Sequence, residues 1–150
     1  MTKAAFTILS LVVFCACASK QNTSNASSPA LRFEKTACFG TCPEFVLAVK
    51  NDGNAQLSVA GNLELDSGLY RCANCDKQQL ELILKKAEEI GFSEFKAKYD
   101  PGVMDLPSII TSINGKKVIN ILDGPISLIE LEKQINAAYI QQGTWEKIVK

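Results

Sequence analysis

The sequence predicts an α+β domain: a mainly antiparallel sheet with two helices on one face. Short apolar runs of strand period are separated by Asp-Gly and Asn-Gly turns, so hairpins dominate. Two longer stretches place apolar residues at helical spacing instead. Their order along the chain, β-β-β-β-α-β-β-α, gives the fold class.

Leu31, Phe33 and Ala37 alternate with Arg32, Glu34 and Thr36, which is the period of a strand. Phe45 to Val49 is continuously apolar and reads as a buried central strand. Asn51-Asp52-Gly53-Asn54 is a turn. Ala55, Leu57 and Val59 then alternate with Gln56 and Ser58 as a third strand, and Leu63 to Arg71 is a weaker fourth, interrupted by Gly68. Asp76 is a suitable N-cap, with Gln79 placed to complete a capping box. Leu80, Ile83, Leu84, Ala87 and Ile90 form the buried stripe of the helix that follows. Lys85 and Lys86 suit its negative C-terminal end, and Gly91 closes it. Residues 92–107, with Pro101 and Pro107, read as irregular. Ile109 to Ile113 and Val118 to Leu122 flank Asn114-Gly115, the strongest hairpin signal in the chain. Gly124-Pro125 opens the last helix, with Pro125 expected at its first position and Leu128, Leu131, Ile135 and Ala138 facing inward. Gly143 ends it, and Trp145, Ile148 and Val149 are expected to fold back onto the body.

Composition narrows the function more than it defines it. Sixteen basic residues balance sixteen acidic ones among 150, which gives no electrostatic basis for nucleic-acid binding. Histidine is absent, which removes Ser-His-Asp and Cys-His catalysis and histidine metal sites together. No phosphate-binding glycine pattern and no calcium loop of the D-x-[DN]-x-[DN]-G type occurs. No catalytic set emerges, and no cofactor is expected.

The first residues resemble a bacterial lipoprotein signal. Lys3 supplies the positive start, and Ala4 to Phe14 is an apolar run too short to span a bilayer. The run ends in Phe14-Cys15-Ala16-Cys17. Signal peptidase II requires a small residue before the modified cysteine, so Ala16 selects Cys17 for lipidation and residues 1–16 for removal. Loss of Lys3 leaves 15 basic against 16 acidic residues, a net charge of −1. Membrane contact is therefore expected from the acyl chains of Cys17. Ser19, two positions on, favours the outer over the inner membrane of the envelope. Residues 17–30 comprise the lipidated cysteine and a polar, aperiodic tether with a reach of roughly 20 Å. Asn22 and Asn25 open N-x-[ST] sequons, read as accidental in a bacterium. Residues 31–150 form the single folded domain.

Cys38, Cys42, Cys72 and Cys75 remain in that domain as a C-x3-C and a C-x2-C pair. The oxidising envelope favours two structural disulfides, of which four cysteines permit three connectivities. A four-thiolate zinc site is a lesser reading. A redox-active Cys72/Cys75 pair is the alternative, because it directly precedes the Asp76 helix, whose N-terminus would stabilise a thiolate. The Pro107 hairpin and last helix are similar to the end of a thioredoxin, but Arg71 stands where that pattern carries an aromatic residue. Asp100, Asp105 and Asp123 lie near loop ends and read as turn formers rather than a hydrolytic pair. Trp145 and Tyr139 read as packing residues rather than a sugar platform.

The stretch from Leu31 to Leu57, with Cys38-Phe39-Gly40-Thr41-Cys42-Pro43 at its centre and Asp52-Gly53 at its turn, resembles the family numbered 6438 among domains of unknown function. Leu106-Pro107 and the Asn114-Gly115-Lys116 turn agree with that family, and the likeness covers about 31–139. Glu44 and Phe45 depart from its commoner aliphatic-Tyr pair. The resemblance carries no activity. It implies that Cys38 and Cys42 act as a local unit, hence disulfides Cys38–Cys42 and Cys72–Cys75, with Phe39 and Thr41 on a rigid knuckle as possible partner contacts. The expected protein is a lipid-anchored envelope domain that acts by binding or structure.

Cys17→Ser is expected to abolish incorporation of labelled palmitate and to release the protein from the membrane fraction. Label retained by that variant would contradict the assignment.

Overall fold

The computed structural model describes residues 28–149. The leader, Cys17, the two sequons and the tether through residue 27 lie outside the described residues.

The domain is α+β, as its patterning requires. Its strands are β1 (Leu31–Lys35), β2 (Glu44–Val49), β3 (Ala55–Gly61), β4 (Gly68–Cys72), β5 (Lys98–Tyr99), β6 (Ile109–Ile113), β7 (Lys116–Asn120) and β8 (Trp145–Lys147). They form one sheet in the order β5-β7-β6-β1-β2-β3-β4-β8, antiparallel except for the β5–β7 pair. Helices α1 (Lys77–Glu89) and α2 (Ile126–Ile135) bury their apolar stripes in the same core cluster. A six-residue π-helical turn, Asn136–Gln141, extends α2.

Alternation sets the faces. In β1 and β2, Leu31, Phe33, Phe45, Leu47 and Val49 are buried, and β3 strictly alternates buried with exposed positions. A period of two places these residues on one face, which the helices dry. Asn114 and Gly115 both have positive φ (48° and 86°), the signature of a type I′ hairpin turn. The β2–β3 connection is longer, closing with Gly53 at φ 87°.

Several expectations need correction. The fourth strand starts at Gly68, not Leu63; Leu63 and Leu65 instead pack against the core from the connection. Residues 92–107 hold a 3-10 turn, Phe92–Glu94, and the short strand β5, which sits at a sheet edge too briefly to show a period. Pro125 caps α2 rather than occupying its first turn. Asp76 caps α1 by accepting from the Gln79 backbone N–H at 2.8 Å, but the capping box is not closed. The Gln79 side chain donates instead to the Ala138 carbonyl at 2.6 Å and ties α1 to the end of α2. Trp145 does return to the body, as the first residue of an eighth strand that the chain pattern did not announce, whereas Val149 is exposed.

Gly53 packs on the start of α1, where an added Cβ would collide with the Asp76–Lys77 peptide. Gly53→Ala is therefore expected to cost about 1–3 kcal/mol, from the collision together with the left-handed φ. Urea unfolding measures it; an unchanged midpoint would show that the turn does not seat on the helix.

Candidate functional site

The strand registers define two ends of the sheet. Lys35, Phe45, Ile109 and Asn120 are aligned at one end, and Leu31, Val49, Ile113 and Lys116 at the other. The first end carries the connections 36–43, 62–67, 100–108 and 121–125. Cys38 and Cys42 are bonded within the first of these, and Cys72 and Cys75 are bonded at the opposite end, ahead of α1. Both connectivities are those implied by the family motif. Their separation also divides the four sulfurs that one tetrahedral zinc site would require. Pro107 stands at the Cys38–Cys42 end, away from Cys72–Cys75, unlike the thioredoxin arrangement.

The Cys38–Cys42 loop is closed tightly. Gly40 donates its N–H to the Cys38 carbonyl at 2.9 Å, and the loop's exit is Pro43, whose ring restricts φ. Phe39 is thereby held outward, 98% exposed, with Thr41 exposed beside it. The neighbouring connection is locked to this one twice: Thr36 donates to the Ser108 carbonyl at 3.0 Å, and Ser108 N–H donates to Thr36 Oγ1 at 2.8 Å. Val103, Met104, Leu122 and Ile126 are exposed around the same end. Together with Phe39 they make up five of the eight large apolar side chains exposed among the described residues. Scattered single apolar residues are ordinary on a surface, but their gathering on adjacent loops is not.

Beneath the loops lies a polar inclusion on the sheet face that the helices cover. Lys35 occupies an inward strand position after Leu31 and Phe33, and lines three clefts of about 610, 380 and 210 Å³. Its ammonium stands 6.0 Å from the Phe45 ring centroid. Burial pushes it below the usual lysine range, and the charge of Glu132 opposes that shift. Glu132 is only 3% exposed. Its Oε2 accepts from Asn120 Nδ2 at 2.8 Å, while Oε1 has no hydrogen-bond partner. Burial raises the carboxyl to about 7, against the lowering effects of the Asn120 hydrogen bond and Lys35. Asn120 Oδ1 in turn accepts from Gly124 N–H at 3.1 Å, so the inclusion positions the 121–125 connection.

None of Lys35, Asn120 and Glu132 was singled out by sequence reasoning. Lys35 breaks the apolar phase Leu31–Phe33, and Glu132 falls on the stripe four residues after Leu128; both irregularities were visible signals. Other sequence candidates resolve as structural. Tyr139 is fully buried, with its hydroxyl raised to about 12 by burial and by Asp76, and its carbonyl accepts from Trp145 Nε1 at 3.1 Å. Asp100 accepts from Gly102 N–H at 2.8 Å and pairs with Lys98 at 2.6 Å, which hold its carboxyl below the usual range. Among the described residues no group of three His, Cys, Asp or Glu residues is placed to hold a metal, and no helix is long and apolar enough to cross a membrane.

Against known proteins, a family model described as Domain of unknown function (DUF6438) matches residues 29–139. No curated protein and no solved structure matches the chain.

The folded-state carboxyl of Glu132 lies above its ordinary value of 4.5, so the native state binds the extra proton between that value and about 7. Stability is then expected to fall as pH rises through this window, by on the order of 2–3 kcal/mol, and to level off above it. Glu132→Gln keeps an acceptor for Asn120 and should flatten that slope in urea titrations. An equal slope in the variant would remove Glu132 as its source.

Proposed function

The chain belongs to the DUF6438 family of domains of unknown function, and from that premise we propose that it is a non-catalytic binding module of the bacterial envelope. In this reading Cys17 is the lipidated residue after removal of 1–16, the outer membrane is its site, and 18–30 tether the 31–150 domain. Phe39 and Thr41 on the disulfide-closed loop contact a protein or peptide partner.

The exposure of Phe39 carries the proposal. An aromatic ring in water costs solvation free energy and contributes no packing to the fold. Here a disulfide, a proline and the Thr36–Ser108 hydrogen bonds hold the surrounding backbone still. A rigid apolar anchor loses little entropy on docking, which is how binding surfaces gain affinity. A thiol–disulfide role for Cys72/Cys75 is the second reading, favoured by the position of Cys75 directly before α1. Asp76 at the same helix end opposes it, since its carboxylate repels a thiolate.

A photo-cross-linking amino acid at position 39, in intact cells, is expected to yield a discrete adduct. The same group at Leu82, exposed on α1, should yield none. Equal labelling at the two positions would defeat the reading. Reduction of insulin by the purified protein, lost on Cys72→Ser, would support the second reading instead.

A further inference from the structure

We infer that the Cys38–Cys42 end of the sheet receives a polypeptide segment that is both apolar and positively charged. The inference rests on the proposed reading of this end as a binding surface, and adds the chemistry of the occupant.

Charge distribution supplies it. The four connections at this end carry Glu64, Asp66, Asp100, Asp105 and Asp123, and not one lysine or arginine. Lys98 answers Asp100, Lys35 is half-buried in the clefts below, the exposed Lys133 lines one of those clefts beside Glu132, and Lys147 lies at the far edge over Tyr70. Glu44 adds a further carboxylate where β2 leaves the loop. The opposite end is mixed, with Lys50, Lys77, Lys116 and Lys117 beside Asp52 and Asp76. A chain of zero formal charge is thus acidic at the end that exposes its apolar side chains. Such a surface attracts cations over a Debye length and then offers Phe39, Met104 and Leu122 as contacts.

The same charges disfavour a bilayer as the occupant. Anionic headgroups are repelled by carboxylates, and no basic side chain in these connections offsets that. Topology agrees. The chain enters the sheet at Leu31, at the end away from the loops, separated from them by the length of β1, about 17 Å. At their base, Pro43, Pro107, Ile109 and Ile121 line the cleft of about 210 Å³, where an apolar side chain of the partner seats.

The test uses the mature domain with both disulfides intact and two synthetic peptides of equal leucine and phenylalanine content, one bearing lysines and one glutamates. Fluorescence anisotropy at low and high salt reads binding; phosphatidylcholine vesicles with and without phosphatidylglycerol are the lipid probes. The lysine peptide is expected to bind about tenfold tighter than the glutamate peptide at low salt. Phe39→Ser with Met104→Ser should weaken it about tenfold. Asp105→Asn with Asp123→Asn should weaken it about threefold and reduce its salt dependence. Leu82→Ser should change nothing, and near-native circular dichroism establishes that each variant is folded. Preference for the glutamate peptide, still lost on Phe39→Ser, would overturn the charge inference while leaving the binding surface in place. Peptide binding indifferent to Phe39 and Met104 would overturn both. Vesicle binding that depends on Phe39, without peptide binding, would overturn the inference in favour of lipid.

Discussion

Drying one face of an eight-stranded sheet is the constraint on which the rest of this structure depends. Leu31, Phe33, Leu47, Val49, Leu57 and Val118 project from that face, and most of their cover comes from two helices of 13 and 10 residues, with the π-helical turn and the 62–67 connection adding Tyr139, Leu63 and Leu65. Those helices are themselves joined, through Gln79 and the Ala138 carbonyl. Short helices do not cover a wide sheet completely. Clefts open at its end row, where Lys35 stands between Phe45 and Ile109 in register. The groove at the Cys38–Cys42 end is thus a consequence of how much sheet the helices have to cover.

The polar inclusion follows from the same geometry. An inward lysine is tolerable only where solvent still reaches its ammonium, and Lys35 lies at that margin. Glu132 sits deeper and is held by one hydrogen bond, with its second oxygen unanswered. A buried carboxyl in that state favours its proton, which explains why burial outweighs both Asn120 and Lys35 in setting its titration. Through Asn120, this group supports the connection that displays Leu122. The surface loops and the buried carboxyl are therefore parts of one arrangement. The disulfides contribute locally: loops this short yield about 2 kcal/mol each in the chain-entropy view. They also constrain the backbone around Phe39 and around the approach to α1.

Much of the fold was legible because period and turn chemistry are local. The Leu31–Phe33 and Ala55–Val59 alternations, the Asn114-Gly115 turn, the Asp76 cap and the Gly91 stop each act within a few residues, and each stands where the chain pattern placed it. β5 and β8 escaped because strands of two and three residues have no measurable period; they exist because a neighbouring edge offers unpaired backbone groups. Glu132 escaped because a helical stripe read by hydrophobicity skips a carboxylate that lies on it.

By itself, then, the amino-acid order determined the fold class, the hairpins and the caps, since these are set by contacts close along the chain, while the pairing of Cys38 with Cys42 was what the family resemblance implied. Only the tertiary structure decided that Phe39, Met104 and Leu122, far apart in sequence, share one end of the sheet. It likewise decided that acidic connections meet there and that Lys35, Asn120 and Glu132 gather beneath them. Strand order brings these residues together, and strand order is set by long-range pairing that no local pattern encodes.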